Sequence, residues 1–290
     1  MNASISSRPL LAIAFMVAAV TSLSAVDAFG KAAVELLPGV QILFLRSVVI
    51  LVAVVPFQLR GGELQLRTSV PWLHAANVVA WLVTMGAFYA AIGDMPLGTL
   101  TAIMFTAPLF MTALSVPMLG ERVGIHRWAA IVVGLVGTLI VVQPGGAAGP
   151  PLSALLALLS AFGWAVNMVL MRMLTRTESN ATVLIYANAG AVAALGVLAL
   201  FAWRPVGLTA FGLVLAIAFT LVVGQYLQLR AFRLAPIGVV APFQYFQLIS
   251  ATLAGWLVWH EWPASHVWAG AAVVVASGLY VIWREQRAKA

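Results

Sequence analysis

Three ionisable side chains interrupt long apolar stretches of the sequence: Asp27, Lys31 and Arg46. An ionised group costs about 2.5–3.5 kcal/mol in the middle of a membrane-spanning helix, so each of these residues needs a partner or a role. Asp27 and Lys31 are four positions apart, which places them on one helix face where they can form a structural ion pair. The alternative is gating or coupling, in which Lys31 or Arg46 attracts a carboxylate and Asp27 attracts an ammonium group or a proton.

Uncharged polar and aromatic residues are also numerous in the apolar stretches. Amide groups are costly in contact with lipid, so they should face the interior of a helix bundle. Together with aromatic rings at helical spacing, such groups suit a cavity for a largely apolar, zwitterionic or neutral solute. The alternative for any single residue is an interhelical hydrogen bond without a binding role. The candidate substrate-binding residues are Trp81, Met85, Phe88, Phe105, Trp164, Asn167, Tyr186, Gln225, Gln228, Gln244 and Tyr245.

The sequence carries no pattern typical of an enzyme, a metal site or a cofactor site. It has no cysteine, which excludes disulfides, thiol nucleophiles and cysteine-ligated metals. The segment HEWPASH at 260–266 departs from the zinc-protease motif, because its histidines are six positions apart and Pro263 breaks the helix. Only Lys31 and Arg46 could meet an organic phosphate inside the membrane, which is too few for a phosphorylated solute. No Walker loop predicts ATP binding. We therefore expect a protein that is not an enzyme, with no catalytic residues, no metal and no cofactor.

The overall composition indicates the class of protein. Hydrophobic residues make up 63 % of the 290 residues, charged residues make up 8 %, and the mean hydropathy is +1.05. A soluble domain carries about 25 % charged residues, so this chain cannot cover a water-soluble body of its size. The net charge of +7 comes from residues scattered through short loops, which is not typical of a nucleic-acid-binding patch. We expect an all-α polytopic membrane protein that has the lipid bilayer as its surroundings and no nucleic-acid partner.

Ten apolar stretches are long enough to cross a bilayer, which takes about 20 residues. A Gly/Pro-rich segment at 143–151 separates a first half, residues 1–142, from a second half, residues 152–290. The stretches in the first half are 10–33, 40–59, 70–92, 97–119 and 126–142, and those in the second half are 152–173, 181–203, 208–229, 237–259 and 264–283.

Lys and Arg residues are distributed unequally between the two sets of connecting loops. The termini and the loops after the second, fourth, sixth and eighth stretches hold twelve of them, whereas the opposite loops hold only Arg204. Short loops rich in Lys and Arg stay in the cytoplasm. The sequence therefore predicts that both termini are cytoplasmic.

The segment 96–141 reappears in outline at 236–281. A shift of 140 positions without a gap gives ten identities in 46 positions, among them Glu121 with Glu261. Each copy contains five stretches, and because five is odd the second copy inserts upside down relative to the first. The sequence thus predicts two inverted five-helix repeats around a central cavity, an arrangement typical of secondary transporters that work by alternating access.

Prolines mark the fourth stretch of each repeat. Pro96 and Pro236 precede these stretches, and Pro108 and Pro117 lie inside the first of them. A proline inside a helix removes a backbone hydrogen bond and bends the helix. We expect Pro108 and Pro117 to interrupt the fourth helix, and Pro96, Pro108 and Pro236 to serve as hinges, with static curvature as the alternative.

Two five-stretch halves, each with a Pro/Gly-entered fourth stretch that ends in Glu and a Trp/Gly-rich fifth stretch, resemble the drug/metabolite transporter superfamily. The stretch LGERVGIHRWAAIVVGLVGTLIVV at 119–142 is similar to the end of an EamA-type domain, and 259–282 is its second copy. The resemblance implies a cavity lined by helices of both halves and a small-molecule substrate. Bacterial exporters of aromatic or other neutral amino acids are the type that this chain resembles most.

The resulting hypothesis is a multi-pass transporter of the bacterial inner membrane that exports aromatic or other neutral amino acids by alternating access. The alternative substrates are lipophilic drugs or other small metabolites of the same superfamily. Facilitated diffusion and proton antiport both fit, with Asp27 as the carboxylate placed to carry a proton. We expect a monomer or a weak homo-oligomer.

Overall fold

Helices make up nearly all of the described chain. The computed structural model describes residues 9–61, 68–120, 123–143, 150–235 and 237–287. In the first half the helices are α1 (Pro9–Val34), α2 (Gly39–Gly61), α3 (Pro71–Ile92), α4 (Leu97–Met104), α5 (Ala107–Leu119) and α6 (Ile125–Val142). In the second half they are α7 (Pro151–Leu174), α8 (Asn180–Phe201), α9 (Leu208–Leu234), α10 (Ile237–Val240), a 3₁₀ segment (Ala241–Tyr245), α11 (Phe246–Trp259) and α12 (Ser265–Arg287).

These helices correspond to the ten apolar stretches of the sequence, with α4 and α5 forming the fourth stretch and α10 and α11 the ninth. Eight helical segments in the described ranges are long and apolar enough to cross a membrane. The other two are the second, whose apolar part is Gly39–Ala53, and the ninth, which the 3₁₀ segment divides. The chain is therefore an all-α, multi-pass membrane protein.

Local sequence chemistry determines where several helices begin and end. The helices α3 and α7 begin at Pro71 and Pro151, because the fixed φ of proline suits the first turn and its missing N–H is not needed there. Ser179 caps α8 by accepting a hydrogen bond from the Thr182 backbone N–H at 3.1 Å. Gly120 ends α5 with a φ of 69°, a left-handed conformation that glycine adopts without steric cost.

The fourth segment of each repeat is interrupted at related positions. In the first repeat α4 ends at Met104 and α5 begins at Ala107, and in the second the 3₁₀ segment ends at Tyr245. The 140-residue shift carries Phe105, which lies in the first break, onto Tyr245. Both halves therefore break the same helix at the same place.

Proline accounts for these interruptions only in part. Pro108 lies in the first turn of α5, directly after the break, and Pro242 lies in the first turn of the 3₁₀ segment. Pro117 lies inside α5, which continues to Leu119, so the expectation that Pro117 interrupts this helix was wrong. Only two helical residues follow Pro117, so the chain ends the helix at Gly120 instead of bending it. Pro96 precedes α4 as its N-cap, whereas Pro236 and Glu121 lie outside the described residues.

The helices of the two halves pack against each other in a pattern that follows the repeat. The helix α1 packs along α9, and its repeat equivalent α7 packs along α3. The helix α1 also contacts α11, as α7 contacts α5, and the pairs α2–α8 and α6–α12 join helices that are each other's equivalents. Each of these contacts either has a counterpart that the repeat relates to it or joins two helices that the repeat relates to each other. The bundle is therefore built from two inverted five-segment repeats.

Glycines allow the close contact between α6 and α12. A Cβ at Gly137 of α6 would lie 2.9 Å from the carbonyl oxygen of Gly270 in α12, and a Cβ at Gly270 would lie 2.7 Å from the backbone nitrogen of Val141. Lipid tails are as apolar as the helices, so helix association in a membrane depends on such close packing of backbones. These two glycines therefore allow the last helix of one repeat to pack closely against the last helix of the other.

Replacing Gly270 by alanine should destabilise the protein, because the added methyl group meets backbone atoms of α6 that cannot move aside. We expect a loss of about 1–3 kcal/mol in the free energy of unfolding, as in other overpacked contacts. Thermal unfolding in detergent measures the loss. Gly86→Ala is the matched control, since a Cβ at Gly86 meets nothing within 4 Å. Equal unfolding midpoints for the two variants would contradict this packing.

Candidate functional site

A buried ion pair joins the two halves near one end of the bundle. Lys31 Nζ in α1 lies 2.7 and 2.6 Å from the two carboxylate oxygens of Glu261, in the connection between α11 and α12. The same ammonium group donates to the Met95 carbonyl oxygen at 2.8 Å and lies 5.3 Å from the Trp259 ring centre. The Lys31 side chain is 4 % exposed and that of Glu261 is 29 % exposed. One charge thus fixes α1 to the connections that follow α3 and α11.

Other polar contacts between the halves lie at the same end of the bundle, which we call the Lys31 end. Trp259 Nε1 donates to a carboxylate oxygen of Glu35 at 3.0 Å. Gln41 donates to the Arg204 carbonyl oxygen at 2.8 Å and accepts from the Arg204 backbone N–H at 3.0 Å. The two repeats are therefore closed against each other at the Lys31 end.

Asp27 does not form the ion pair with Lys31 that their spacing allows. Its carboxylate accepts a hydrogen bond from Gln247 Nε2 of α11 at 3.4 Å. Lys31 lies one turn nearer the end of α1, where Glu261 offers both carboxylate oxygens and the α3–α4 connection offers a carbonyl oxygen. Those three contacts satisfy the ammonium group better than a single carboxylate on the same helix. Asp27 and Lys31 consequently belong to different contacts.

Arg46 of α2 lies buried beside Asp27 and two aromatic residues of α3. It is 7 % exposed, and its guanidinium carbon lies 5.4 Å from the Trp81 ring centre. Its charge acts electrostatically on the Asp27 carboxylate and on the Tyr89 hydroxyl. Its Nε has no hydrogen-bond partner. Asp27, Arg46, Trp81 and Tyr89, with Gln247, form what we call the charged region.

Phe105 and Tyr245 meet where the interrupted segments of the two repeats approach each other. Their ring centres lie 5.0 Å apart and their planes are inclined by 66°. Since the repeat shift relates these two residues, their contact lies at the pseudo-two-fold axis of the bundle. The Tyr245 hydroxyl fills the space beside Gly278 of α12, where a Cβ would collide with it. This aromatic pair joins the interrupted segments of the two repeats.

Three further candidate residues lie in the second half. Asn167 is buried in α7, and its Nδ2 donates to Asn77 Oδ1 at 3.0 Å and to the Asn77 carbonyl oxygen at 3.2 Å. Tyr186 of α8 stacks on His74 of α3, with ring centres 4.4 Å apart. Trp164 is 37 % exposed. Asn167 and Tyr186 therefore link helices of opposite repeats.

The remaining candidates are divided between the charged region and the second half. Met85 and Phe88 pack against the apolar cluster to which Trp81 and Tyr89 belong. Gln225 is exposed in α9, whereas Gln228 of α9 and Gln244 of the 3₁₀ segment are half-buried. The structure thus brings Asp27 and Arg46 to the candidates of α3, whereas Trp164 and Gln225 are exposed.

Repeat-related positions carry different chemistry in the two halves. The shift pairs Asp27 with Asn167 and Arg46 with Tyr186. Asp27 and Asn167 each lie seven residues before the last residue of their helix, and these two helices belong to inverted repeats. The two positions therefore lie towards opposite ends of the bundle. One end has a carboxylate and a guanidinium, and the other has an amide and a phenol in their places.

A mainly apolar groove of about 350 Å³ lies beside the Phe105–Tyr245 pair. Its walls come from the 3₁₀ segment, α11 and α12, and include Pro242, Tyr245, Phe246, Trp268 and Val275. Tyr245 is the one candidate residue among those that line it. Tyr245 thus contacts Phe105 and also borders this groove.

Tyr89 and the partner of Lys31 were not among the residues predicted from the sequence. Tyr89 follows Met85 by four positions, so the helical spacing that selects Trp81 and Met85 also includes it. Glu261 is 230 positions from Lys31, and no local pattern relates the two residues. Helical spacing alone is enough to include Tyr89, whereas the Lys31–Glu261 contact depends on the packing of α1 near the α11–α12 connection.

The described ranges form ten helical segments in two inverted halves with charged and aromatic groups in their interior, an arrangement typical of multi-pass membrane transporters. The chain belongs to the EamA-like transporter family, whose profile matches residues 10–143 and 151–283. A solved structure at 17 % identity superposes with a TM-score of 0.64 over 96 % of this chain and 99 % of its own, which shows a shared fold.

Proteins similar to this chain are transporters of small metabolites. A riboflavin transporter of Rhizobium johnstonii is 33 % identical over 234 residues, which cover 80 % of this chain and 77 % of the relative. An S-adenosylmethionine uptake transporter of Rickettsia bellii is 25 % identical over 279 residues, 96 % and 95 % of the two chains. The pseudopaline exporter CntI of Pseudomonas aeruginosa is 29 % identical over 258 residues, 88 % and 89 % of the two chains.

Replacing Lys31 by methionine should destabilise the Lys31 end, because Glu261 then keeps a charge in a partly buried place without its partner. We expect a loss of about 1–3 kcal/mol, below the 3–5 kcal/mol of a fully buried pair, since Glu261 is partly exposed. Thermal unfolding of Lys31→Met, Glu261→Gln and the double variant measures the coupling between the two residues.

The double variant should lose less than the sum of the single variants, because it leaves no unpaired charge. Glu35→Gln, which changes an exposed carboxylate at the same end, serves as the control and should have a smaller effect. Strictly additive losses would mean that Lys31 and Glu261 do not depend on each other.

Proposed function

We propose that the protein moves a small metabolite with a planar ring and a polar end across the bacterial inner membrane by alternating access, with riboflavin as the first compound to test. The observation that carries this proposal is the charged region, where the Arg46 guanidinium lies over the Trp81 ring and acts electrostatically on the Asp27 carboxylate and the Tyr89 hydroxyl. Ring faces suit a planar ring system through stacking, and the polar groups beside them suit the polar end.

The similar proteins support metabolite transport more than amino-acid export. The riboflavin and S-adenosylmethionine transporters carry compounds that combine a flat ring system with polar groups. Aromatic amino acids have the same combination in a smaller form, and they are the second candidate. The observation in their favour is the opposite charge of Asp27 and Arg46, which could bind an ammonium group and a carboxylate. Nothing in the charged region favours a lipophilic drug over these polar solutes.

The proposed transport cycle assigns a role to the closed Lys31 end. Opening the bundle there requires the Lys31–Glu261 pair to separate, so we assign Lys31 to gating. The interrupted fourth segment of each repeat offers the hinges, and we assign them to Pro96, Pro108 and Pro236. Asp27 is the carboxylate that could take up a proton in exchange for solute. The similar proteins include an uptake transporter and an exporter, so the direction has to be measured.

Counterflow in proteoliposomes tests the proposal. Vesicles loaded with unlabelled riboflavin, S-adenosylmethionine or tryptophan in separate batches should accumulate the matching labelled compound, whereas vesicles without protein should not. Phe105→Ala and Tyr245→Ala should each lower the initial rate by about two- to tenfold, the range expected from the loss of one aromatic pair. Phe219→Ala removes an exposed ring of α9 and serves as the control. Absence of counterflow with all three compounds, in folded protein, would contradict the proposal.

Gly278→Ala should lower the same counterflow rate without removing any aromatic group. The added methyl group occupies the place of the Tyr245 hydroxyl and pushes the ring away from Phe105. Tyr245→Phe removes that hydroxyl, so the double variant Gly278→Ala/Tyr245→Phe should recover most of the rate that Gly278→Ala loses. A double variant as slow as Gly278→Ala would show that the position of Tyr245 is not what the substitution changes.

A further inference from the structure

Arg46 is a buried cation whose hydrogen-bond donors the protein does not fully satisfy. Its guanidinium has five N–H donors, and its Nε has no partner. No carboxylate of the described residues lies within 4 Å of the guanidinium. A buried donor without an acceptor, and a buried charge without a counter-charge, are both unfavourable. The site around Arg46 therefore lacks an acceptor.

The neighbours of Arg46 do not supply that acceptor. Asp27 acts on Arg46 through space, while its carboxylate accepts a hydrogen bond from Gln247. The Tyr89 hydroxyl lies within electrostatic range of the guanidinium, but a hydroxyl is not a counter-charge. The Trp81 ring covers the guanidinium carbon at 5.4 Å and belongs to an apolar cluster that keeps the dielectric constant low. An anion entering here would meet a positioned and weakly screened cation.

Two comparisons within the molecule single out Arg46. Lys31, the other buried cation of these helices, has a carboxylate with both oxygens in contact and a carbonyl oxygen as well. Tyr186, which occupies the position related to Arg46 by the repeat, stacks on His74 and has a phenol in place of a guanidinium. Lys31 shows that a buried cation in this bundle can have a full set of acceptors, and Tyr186 shows that the related position of the other half does not hold a cation. The incomplete coordination is therefore particular to Arg46.

We propose that Arg46 binds the carboxylate group of those transported solutes that carry one, with the Trp81 ring orienting the guanidinium. A planar guanidinium can donate two parallel hydrogen bonds to a carboxylate, which gives both strength and a fixed orientation. A solute with a carboxylate is then held more tightly than the same ring without one. The inference rests on the proposed function only in that the charged region lies on the path of the solute.

The test uses two probes that differ only in charge. Indole-3-propionate and its amide, indole-3-propionamide, have the same ring, length and shape. Isothermal titration of the full chain in nanodiscs should show that the acid binds about tenfold or more tightly than the amide, as expected for charge-assisted hydrogen bonds. Arg46→Gln should abolish this preference and leave binding of the amide nearly unchanged. Equal binding of acid and amide to the unsubstituted protein would overturn the proposal.

A matched control and a second variant complete the experiment. Arg230→Gln makes the same substitution at an exposed arginine that lies 5.9 Å from the Phe15 ring centre, and it should keep the preference for the acid. Arg46→Lys keeps the charge but loses the two parallel donors, so it should keep only part of the preference. If Arg46→Gln does not fold, an unchanged preference in Arg46→Lys overturns the proposal and a reduced one supports it.

The outcome is separable from that of the proposed function. Counterflow of riboflavin, which has no carboxylate, does not require the acid preference at Arg46. Counterflow without any acid preference would therefore leave the proposed function standing and overturn the role of Arg46. An acid preference that Arg46→Gln abolishes, without counterflow of any compound, would leave the carboxylate site standing and contradict the transport proposal.

Discussion

A polar group inside a bilayer has to find its partner within the protein, because hydrocarbon offers none. Lys31 shows what this constraint does to the fold. Its ammonium group takes both carboxylate oxygens of Glu261 and the carbonyl oxygen of Met95, so that one side chain joins α1 to the ends of α3 and α11. These partners come from both repeats. Satisfying one buried charge therefore fixes the position of one half of the molecule against the other.

The same constraint explains where the helices are interrupted. A broken helix exposes backbone N–H and C=O groups, which is tolerable at membrane depth only where protein surrounds them. The two breaks meet where the Phe105 and Tyr245 rings are in contact. Elsewhere the helices are continuous, and Gly137 and Gly270 let their backbones approach closely. The breaks thus lie where the two repeats contact each other.

Much of this architecture could be predicted from the sequence because its causes are local or repeated. Long apolar stretches determine the helices, and the 140-residue shift relates the break at Phe105 to the break at Tyr245. The contacts of the site could not be predicted in this way. Lys31 has an acidic neighbour four positions away in Asp27 but pairs with Glu261, because three-dimensional packing brings a better set of acceptors to it. Spacing along one helix shows which pairs can form and does not rank them against partners from distant segments.

Duplication gives both halves the same fold, and divergence gives them different chemistry. At the related positions one half has Asp27 and Arg46 and the other has Asn167 and Tyr186. Asn167 and Tyr186 have partners in α3, whereas Arg46 still has a free donor. One turn of α1 separates Asp27, in the charged region, from Lys31, at the closed end. Under the proposed function, a shift of α1 that accompanies solute binding acts directly on the Lys31–Glu261 contact. The asymmetry between the halves would then couple occupation of the charged region to opening of the nearer end.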